Sequence, residues 1–116
     1  MKKARSICLT GGAGYIGSHA CLALAARGAK PLVVDNLVTG SRDAVEWGPL
    51  VELDIRHTEE LTQALLARAV DTVLHFAASA YVGESVTNPR AYYENNVGGM
   101  LSLLTACAAA GVKTFV

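Results

Sequence analysis

The stretch Thr10-Gly11-Gly12-Ala13-Gly14-Tyr15-Ile16-Gly17 decides the fold of this 116-residue chain. An apolar run precedes it and an alanine- and leucine-rich segment, 18–27, follows it, which predicts a strand, a glycine turn and a helix. Such a turn lets the backbone approach a pyrophosphate, which the N–H groups at the start of the helix can bind. The glycines satisfy both G-x-G-x-x-G, at 12, 14 and 17, and G-x-x-G-x-x-G, at 11, 14 and 17. Ordinary tight turns also collect glycines, so the pattern alone leaves that alternative open.

A second apolar run, 31–34, ends in Asp35, which lies 18 residues beyond Gly17. An acidic residue near this spacing, at the end of the second strand, can accept hydrogen bonds from an adenosine ribose. Its charge would repel a 2′-phosphate, so Asp35 favours NAD over NADP. The alternative is a solvated acid at a strand end. Together with the glycines, Asp35 predicts a dinucleotide site.

Composition excludes several other classes of protein. The formal net charge is +0 at pH 7, so nothing predicts binding to nucleic acid or to an anionic membrane. The apolar run after the basic N-terminus is too short for a signal peptide or a membrane span. Cys8, Cys21 and Cys107 have no C-x-x-C spacing. We expect them to be buried, reduced thiols in the cytoplasm, and we expect no metal site.

The apolar runs and helical segments alternate in the order βαβ(β)αβαβ. This order predicts an α/β fold with a doubly wound parallel sheet of the Rossmann type and helices on both faces. The chain stops inside the fifth predicted strand, so we expect residues 1–116 to be the N-terminal part of a larger domain. The expected strands lie near 5–10, 31–35, 50–54, 72–76 and 112–116, and the expected helices near 15–27, 58–69 and 89–110.

Helix ends carry recognisable signals. Thr58 is a predicted N-cap, and Asn88 is another because Pro89 follows it at the first helical position. Gly111 is expected to end the last helix in a left-handed conformation. The paired glycines Gly98-Gly99 cost helix stability, which close approach of another backbone or of a partner subunit would explain.

Helical periodicity predicts which side chains are buried. On the first helix Ile16, Ala20, Ala23 and Leu24 share one face, which we expect to cover the sheet. Small residues at 77–80 follow the fourth strand and leave room for a ligand there, although they could instead pack under a helix. The predicted core stripe of the last helix is Tyr93, Val97, Met100, Leu104 and Cys107.

Several separated stretches resemble the extended short-chain dehydrogenase/reductase superfamily. They are Thr10-Gly11-x-x-Gly14-x-x-Gly17, Asp35-Asn36-Leu37 with Gly40, Asp54-Ile55-Arg56 and His75-Phe76-Ala77-Ala78. Further motifs narrow the resemblance to the UDP-glucose 4-epimerase family, namely Val82-Gly83-Glu84-Ser85, Pro89 and Tyr92-Tyr93-Glu94-Asn95-Asn96-Val97. The resemblance covers nearly the whole chain and corresponds to the N-terminal third or so of such an enzyme.

The resemblance implies an NAD site with particular contacts. Tyr15 and Ile16 would meet the pyrophosphate through their backbone, next to the three glycines Gly11, Gly14 and Gly17. The adenosine ribose would be held by Asp35 and the loop that follows it, namely Asn36, Leu37, Thr39 and Gly40. Asp54 and Ile55 would flank the adenine. The nicotinamide side would be lined by Phe76, Ala77, Ala78, Ser79 and Ala80, with Asn95 reaching in from the last helix. Many relatives carry lysine at the position of Ala80, so one charged contact to the cofactor would be missing here or supplied by another residue.

The resemblance also implies a reaction and partners. Such enzymes oxidise the sugar of UDP-glucose or UDP-galactose at C4 with NAD, rotate the 4-keto intermediate and return the hydride. Their Tyr-x-x-x-Lys pair does not occur in residues 1–116, so we expect the catalytic residues beyond Val116 and no activity from this chain alone. A homodimer through the helix starting at Pro89 is implied as well. Two alternatives stay open: another extended short-chain nucleotide-sugar enzyme, such as a dehydratase or uronate epimerase, and a non-catalytic NAD-binding module.

Overall fold

A five-stranded parallel sheet forms the centre of the molecule. The computed structural model describes residues 6–37, 42–45, 48–77, 89–90 and 94–116. The order of the strands is β3-β2-β1-β4-β5, and every neighbouring pair is parallel. The predicted α/β class and the doubly wound strand order are therefore confirmed. The strands are β1 Ile7–Thr10, β2 Leu32–Asp35, β3 Leu50–Glu52, β4 Thr72–His75 and β5 Thr114–Phe115.

Helices cover both faces of the sheet because the crossovers run in opposite directions. The connection from β1 to β2 goes one way across the sheet, and those from β3 to β4 and from β4 to β5 go the other way. Right-handed crossovers then place the first helix on one face and the other two on the opposite face. The helices are α1 Tyr15–Ala25, α2 Thr58–Ala67 and α3 Gly99–Ala110; Arg42–Ala44 is a 3₁₀ turn, and the π-helical segment Glu94–Gly98 leads into α3.

The face under α2 and α3, which we call the α2/α3 face, holds the larger core. Strand residues alternate between the two faces, so Cys8 and Val73 point to this side whereas Leu9 and Val33 point to the other. The buried members on this face are Cys8, Leu32, Val34, Ile55, Leu61, Leu65, Val70, Val73, Leu103, Ala106 and Cys107.

The opposite side, which we call the α1 face, has a smaller core. Its buried members among the described residues are Leu9, Cys21 and Val33. Half-buried side chains complete it: Ile7, Ala20, Leu24, Val45, Leu50 and Leu74. Within the described part of the chain, α1 is the one helix that packs on this face.

The predicted inner face of α1 is partly wrong. Ala20 and Leu24 do contact the sheet, but Ile16 is 67% exposed and Ala23 is exposed as well. The fully buried positions of the helix are Gly17 and Cys21. Gly17 packs directly against the glycine turn. This contact sets the rotation of the helix and turns Ile16 outward, toward the carboxyl edge of the sheet.

The predicted core stripe of the last helix is also partly wrong. Cys107 is buried as predicted and Met100 is half-buried, but Val97 and Leu104 are exposed. The other buried positions of the helix are Gly99, Leu103 and Ala106. Small residues let α3 approach α2 closely, and a helix that is apolar on nearly every side has no periodicity that selects one face. Tyr93 lies outside the described residues.

The two adjacent glycines have different surroundings. A Cβ on Gly99 would lie 2.7 Å from Cδ1 of Ile55, so a neighbouring side chain, not another backbone, explains this glycine. A Cβ on Gly98 would meet no described atom within 4 Å.

Several predicted boundaries change by a few residues. Thr58 is the first residue of α2 and its hydroxyl bonds to Ser102, while His57 occupies the N-cap position. Gly111 ends α3 with φ 76°, as predicted for a left-handed cap. The predicted N-cap Asn88 lies outside the described residues.

The three cysteines are buried and free, as predicted. Burial, with Cys107 nearby, raises the pKa of the Cys8 thiol to about 12. That thiol is protonated at neutral pH and behaves as a small apolar group. In the described ranges, no helix has the length and apolar character needed to cross a bilayer.

Candidate dinucleotide site

The carboxyl ends of β1 and β4 meet at the point where the strand order reverses. β1 and β4 are neighbours in register, with Thr10 opposite His75, although the chain leaves them toward opposite sides of the sheet. Ligands of open α/β sheets bind outside the carboxyl ends of strands at such a switch point. The glycine turn follows β1 here and runs directly into α1.

Two of the glycines are required because neighbouring backbone of the same chain leaves no room for a side chain. Gly11 has φ 72°, and a Cβ there would lie 2.6 Å from the carbonyl carbon of Phe76 on the neighbouring segment. A Cβ on Gly17 would overlap the carbonyl oxygen of Gly11. Both positions exclude any side chain because backbone lies against them. The turn is thereby packed between α1 and the residues that follow β4.

Gly14 is different, because its surroundings are open. A Cβ there would make only an ordinary contact, 3.4 Å from the carbonyl oxygen of Gly11. Gly14 is also the N-cap of α1, where no side chain caps the helix and no acidic residue lies in the first turn. The start of α1 is therefore without a side-chain cap and lies beside a glycine with little around it, an arrangement that fits an anionic pyrophosphate. Tyr15 and Ile16, predicted to meet it through their backbone, are 82% and 67% exposed at this edge.

Asp35 is buried and holds two turns together. It ends β2 and is 8% exposed, so the alternative of a solvated acid is wrong. Its Oδ2 accepts a hydrogen bond of 3.0 Å from the N–H of Ala13, and its Oδ1 accepts one of 2.7 Å from the N–H of Leu37. A carboxylate has about four lone-pair positions, so two remain for a ribose.

The residues after β2 form a tight turn at the same edge. Leu37 has φ 62°, a left-handed conformation that non-glycine residues seldom adopt, and the bond from its N–H to Asp35 supports it. Asn36 is exposed beside it. Thr39 and Gly40, predicted to continue this part of the site, lie outside the described residues.

The predicted adenine contacts, Asp54 and Ile55, point in different directions. Ile55 is 5% exposed and its side chain packs in the α2/α3 core, so its backbone is what remains for a ligand. Asp54 accepts hydrogen bonds from the Arg56 guanidinium at 3.0 and 2.8 Å. These bonds hold the pKa of the Asp54 carboxyl below its ordinary value, with a smaller opposing effect of burial.

A hydrogen-bonded pair that the sequence did not suggest lies beneath the switch point. Oγ1 of Thr10 and Nδ1 of His75 are 2.6 Å apart, and the N–H of Phe76 donates to the backbone and side-chain oxygens of Thr10. Burial lowers the pKa of His75, which favours its neutral form. Polar residues at the carboxyl ends of two strands were the available signal, but only the sheet order makes them neighbours.

The remaining predicted contacts are described in part. Phe76 is 37% exposed and Ala77 is half-buried directly after β4, next to the glycine turn. Asn95 lies in the π-helical segment, and its side chain is not described. The predicted contacts Ala78, Ser79 and Ala80 lie outside the described residues. Across the described ranges, no group of three or more His, Cys, Asp or Glu side chains could hold a metal ion.

Comparisons with known proteins agree on one family. The family model described as "NAD dependent epimerase/dehydratase family" matches residues 7–116. The chain is 51% identical over 111 residues to a UDP-glucose 4-epimerase of Rhizobium meliloti (strain 1021), covering 96% of this chain and 34% of the relative. It is 42% identical over 118 residues to one of Klebsiella pneumoniae, covering 95% of this chain and 85% of that sequence.

Solved structures give the same result. The crystal structure of UDP-glucose 4-epimerase from Brucella ovis in complex with NAD superimposes with a TM-score of 0.93 at 49% identity, covering 97% of this chain and 34% of that chain. The chain thus spans about a third of the length of the first curated relatives it matches.

Proposed function

Because the chain belongs to the NAD dependent epimerase/dehydratase family, we propose that it is the NAD-binding portion of a UDP-glucose/UDP-galactose 4-epimerase. The observation that carries the cofactor part is the start of α1, where no side chain caps the helix and a Cβ on Gly14 would make one ordinary contact at 3.4 Å. The observation that carries the epimerase part is the 51% identity to a relative of that name.

Each proposed contact has a physical reason. The N–H groups of Tyr15 and Ile16 bind the pyrophosphate at the positive end of the α1 dipole. Asp35 accepts hydrogen bonds from the adenosine ribose with its remaining lone pairs, and its charge disfavours NADP. The backbone of Ile55 and the carboxylate of Asp54 lie beside the adenine. Residues 76–80 and Asn95 line the nicotinamide side.

Bound NAD supplies a hydride acceptor and donor for C4 of the sugar. The role of the residues described here is to hold and orient that cofactor beside the switch point. Proton transfer at the sugar hydroxyl needs an activated acid–base group. A Tyr-x-x-x-Lys pair would provide it, and residues 1–116 contain no such pair. We therefore propose that residues 1–116 bind NAD without turning over UDP-sugar. We also propose that the complete protein is a cytoplasmic enzyme.

Two alternative functions are separable by experiment. A dehydratase or uronate epimerase of the same family would share the cofactor site, and its full-length form would convert its own nucleotide-sugar but not UDP-galactose. A non-catalytic module would bind NAD in its full-length form and turn over no nucleotide-sugar.

The exposed side of α3 supports the proposed homodimer. Leu101 and Leu104 of α3 are 62% and 44% exposed, and Val97 of the preceding π-helical segment is 51% exposed; the three follow one another at helical spacing. Such an apolar stripe is suited to pack against the same helix of a second copy. Leu101→Asp should convert the dimer to a monomer in light scattering. The matched change Leu22→Asp, on α1 and 46% exposed, should leave the dimer intact.

Two glycine variants test the cofactor site in the full-length protein. Gly14→Ala should weaken NAD binding roughly tenfold or more, because the new methyl group occupies the open approach. Its free energy of unfolding should change by less than about 1 kcal/mol, since Gly14 has φ −81° and alanine is tolerated there. Gly17→Ala should lower both stability and affinity, because it collides with the Gly11 carbonyl.

Calorimetry with NAD and urea unfolding measure the two quantities separately. Unchanged NAD affinity in Gly14→Ala would place the pyrophosphate elsewhere. Turnover of UDP-galactose by the full-length protein then separates the epimerase from the two alternatives.

A further inference from the structure

Asp35 joins two segments that are far apart in sequence. The N–H of Ala13 belongs to the glycine turn after β1, whereas the N–H of Leu37 belongs to the turn after β2. Both donate to the one carboxylate, each to a different oxygen. The bond to Leu37 spans two residues and forms a local turn, but the bond to Ala13 spans 22 residues.

The hydrogen bond between Asp35 and Ala13 is shielded from water. Ala13 is 3% exposed and Asp35 is 8% exposed, so the bond between them is buried. A buried N–H that loses its acceptor keeps the full cost of its desolvation. Two backbone hydrogen bonds also hold the turn, from Gly11 N–H to the Val34 oxygen at 2.7 Å and from Gly14 N–H to the Gly11 oxygen at 3.1 Å. Through Ala13, the Asp35 side chain ties the middle of the turn to the sheet.

We propose that Asp35 is a positioning residue, which assembles the glycine turn and the Leu37 turn before any cofactor is bound. A positioning role goes beyond a contact to the ribose. The effect of this role on cofactor affinity rests on the proposed function. With Ala13 held, the backbone beside Gly14 and the first N–H groups of α1 keep the spacing that an anion requires.

Two substitutions separate positioning from ribose binding. Asp35→Ala removes both acceptors. Asp35→Asn keeps the shape and one oxygen, which can serve the short local turn at Leu37, but its NH₂ group would face the N–H of Ala13. An asparagine can still hydrogen-bond to a ribose. If the side chain only binds ribose, Asp35→Asn will leave the cofactor-free turn unchanged.

Hydrogen exchange of backbone amides, measured by NMR on the cofactor-free full-length protein, tests the assembly. We expect Asp35→Asn to speed exchange at Ala13 by about 10- to 100-fold while Leu37 stays protected, and Asp35→Ala to expose both amides. The amide of Leu74 in β4 should keep its protection. Glu59→Ala, which removes an exposed carboxylate from α2, is the matched control and should change neither turn. Unchanged Ala13 exchange in both Asp35 variants would overturn the proposal.

Binding of ADP and of 2′,3′-dideoxy-ADP, measured by calorimetry, tests the effect of this positioning on nucleotide affinity. The dideoxy compound has no ribose hydroxyl for Asp35 to contact. A positioning role predicts that Asp35→Ala weakens it about tenfold, whereas a role limited to the ribose predicts no change. If the unaltered protein binds neither NAD nor ADP, the proposed function fails, and the exchange data still decide whether Asp35 assembles the turn.

Discussion

The α2/α3 face and the α1 face of the sheet differ in how deeply they are packed. Among the described residues the first has eleven buried members and the second has three. Two helices cover the first, and they also pack against each other. The second carries α1, whose fully buried residues are the small Gly17 and Cys21 and whose start lies at the open edge. The difference indicates that one face stabilises the fold while the other positions the glycine turn.

The largest effect should come from the α2/α3 core. Leu65 is fully buried there, so Leu65→Ala should lower the free energy of unfolding by about 2–5 kcal/mol. Its neighbour Leu66 is 49% exposed, and Leu66→Ala is the control with a much smaller loss. Urea unfolding followed by circular dichroism gives both values. Equal losses would mean that α2 does not pack as described.

A matched leucine on the α1 face sharpens the comparison. Leu24 is half-buried against the sheet, and Leu24→Ala should cost about 1 kcal/mol, less than half of the Leu65→Ala value. The same unfolding measurement applies. A loss as large as that of Leu65→Ala would show that the two faces contribute similarly to the free energy of unfolding.

The adjacent glycines at the start of α3 provide a smaller test. Gly99→Ala places a methyl group 2.7 Å from Cδ1 of the buried Ile55, and we expect a loss of about 1 kcal/mol. Gly98→Ala meets no described atom within 4 Å and should instead stabilise by about 0.4–1 kcal/mol. Opposite signs in thermal unfolding would confirm the close approach of α3 to Ile55. A loss in both variants would contradict it.

The smallest effect concerns pH. Burial lowers the pKa of His75 from its ordinary value of 6.5, so the unfolded chain takes up this proton first as the pH falls. The contribution of neutral His75 is complete above pH 6.5 and declines as the pH falls from there toward the lowered pKa. His75→Asn should reduce this decline between pH 7.5 and 5.5, and His19→Gln, on the exposed side of α1, should not. If stability declined with falling pH equally in His75→Asn and the unaltered protein, His75 would not contribute to the pH dependence.

Local sequence patterns predicted the positions of strands, turns and helix ends better than they predicted which side of each helix is buried. The glycine turn, the strand ending in Asp35 and the left-handed Gly111 were all placed correctly, because each depends on neighbouring residues in the chain. The buried sides of α1 and α3 were predicted only in part, because both helices are apolar or small around most of their circumference. Their rotation follows from contacts of Gly17 with Gly11 and of Gly99 with Ile55.

The candidate site likewise has features that local sequence predicts and features that only the tertiary structure decides. The sequence by itself determined the α/β class and the parallel sheet, and it predicted which glycines and acid form the proposed dinucleotide site, since spacing along one strand–turn–helix unit carries that information. Only the tertiary structure decided that Thr10 meets His75, that the Ile55 side chain is in the core, and that the Asp35 carboxylate reaches Ala13. These contacts join segments 22 to 65 residues apart. Their geometry is set by the strand order, which no local pattern specifies.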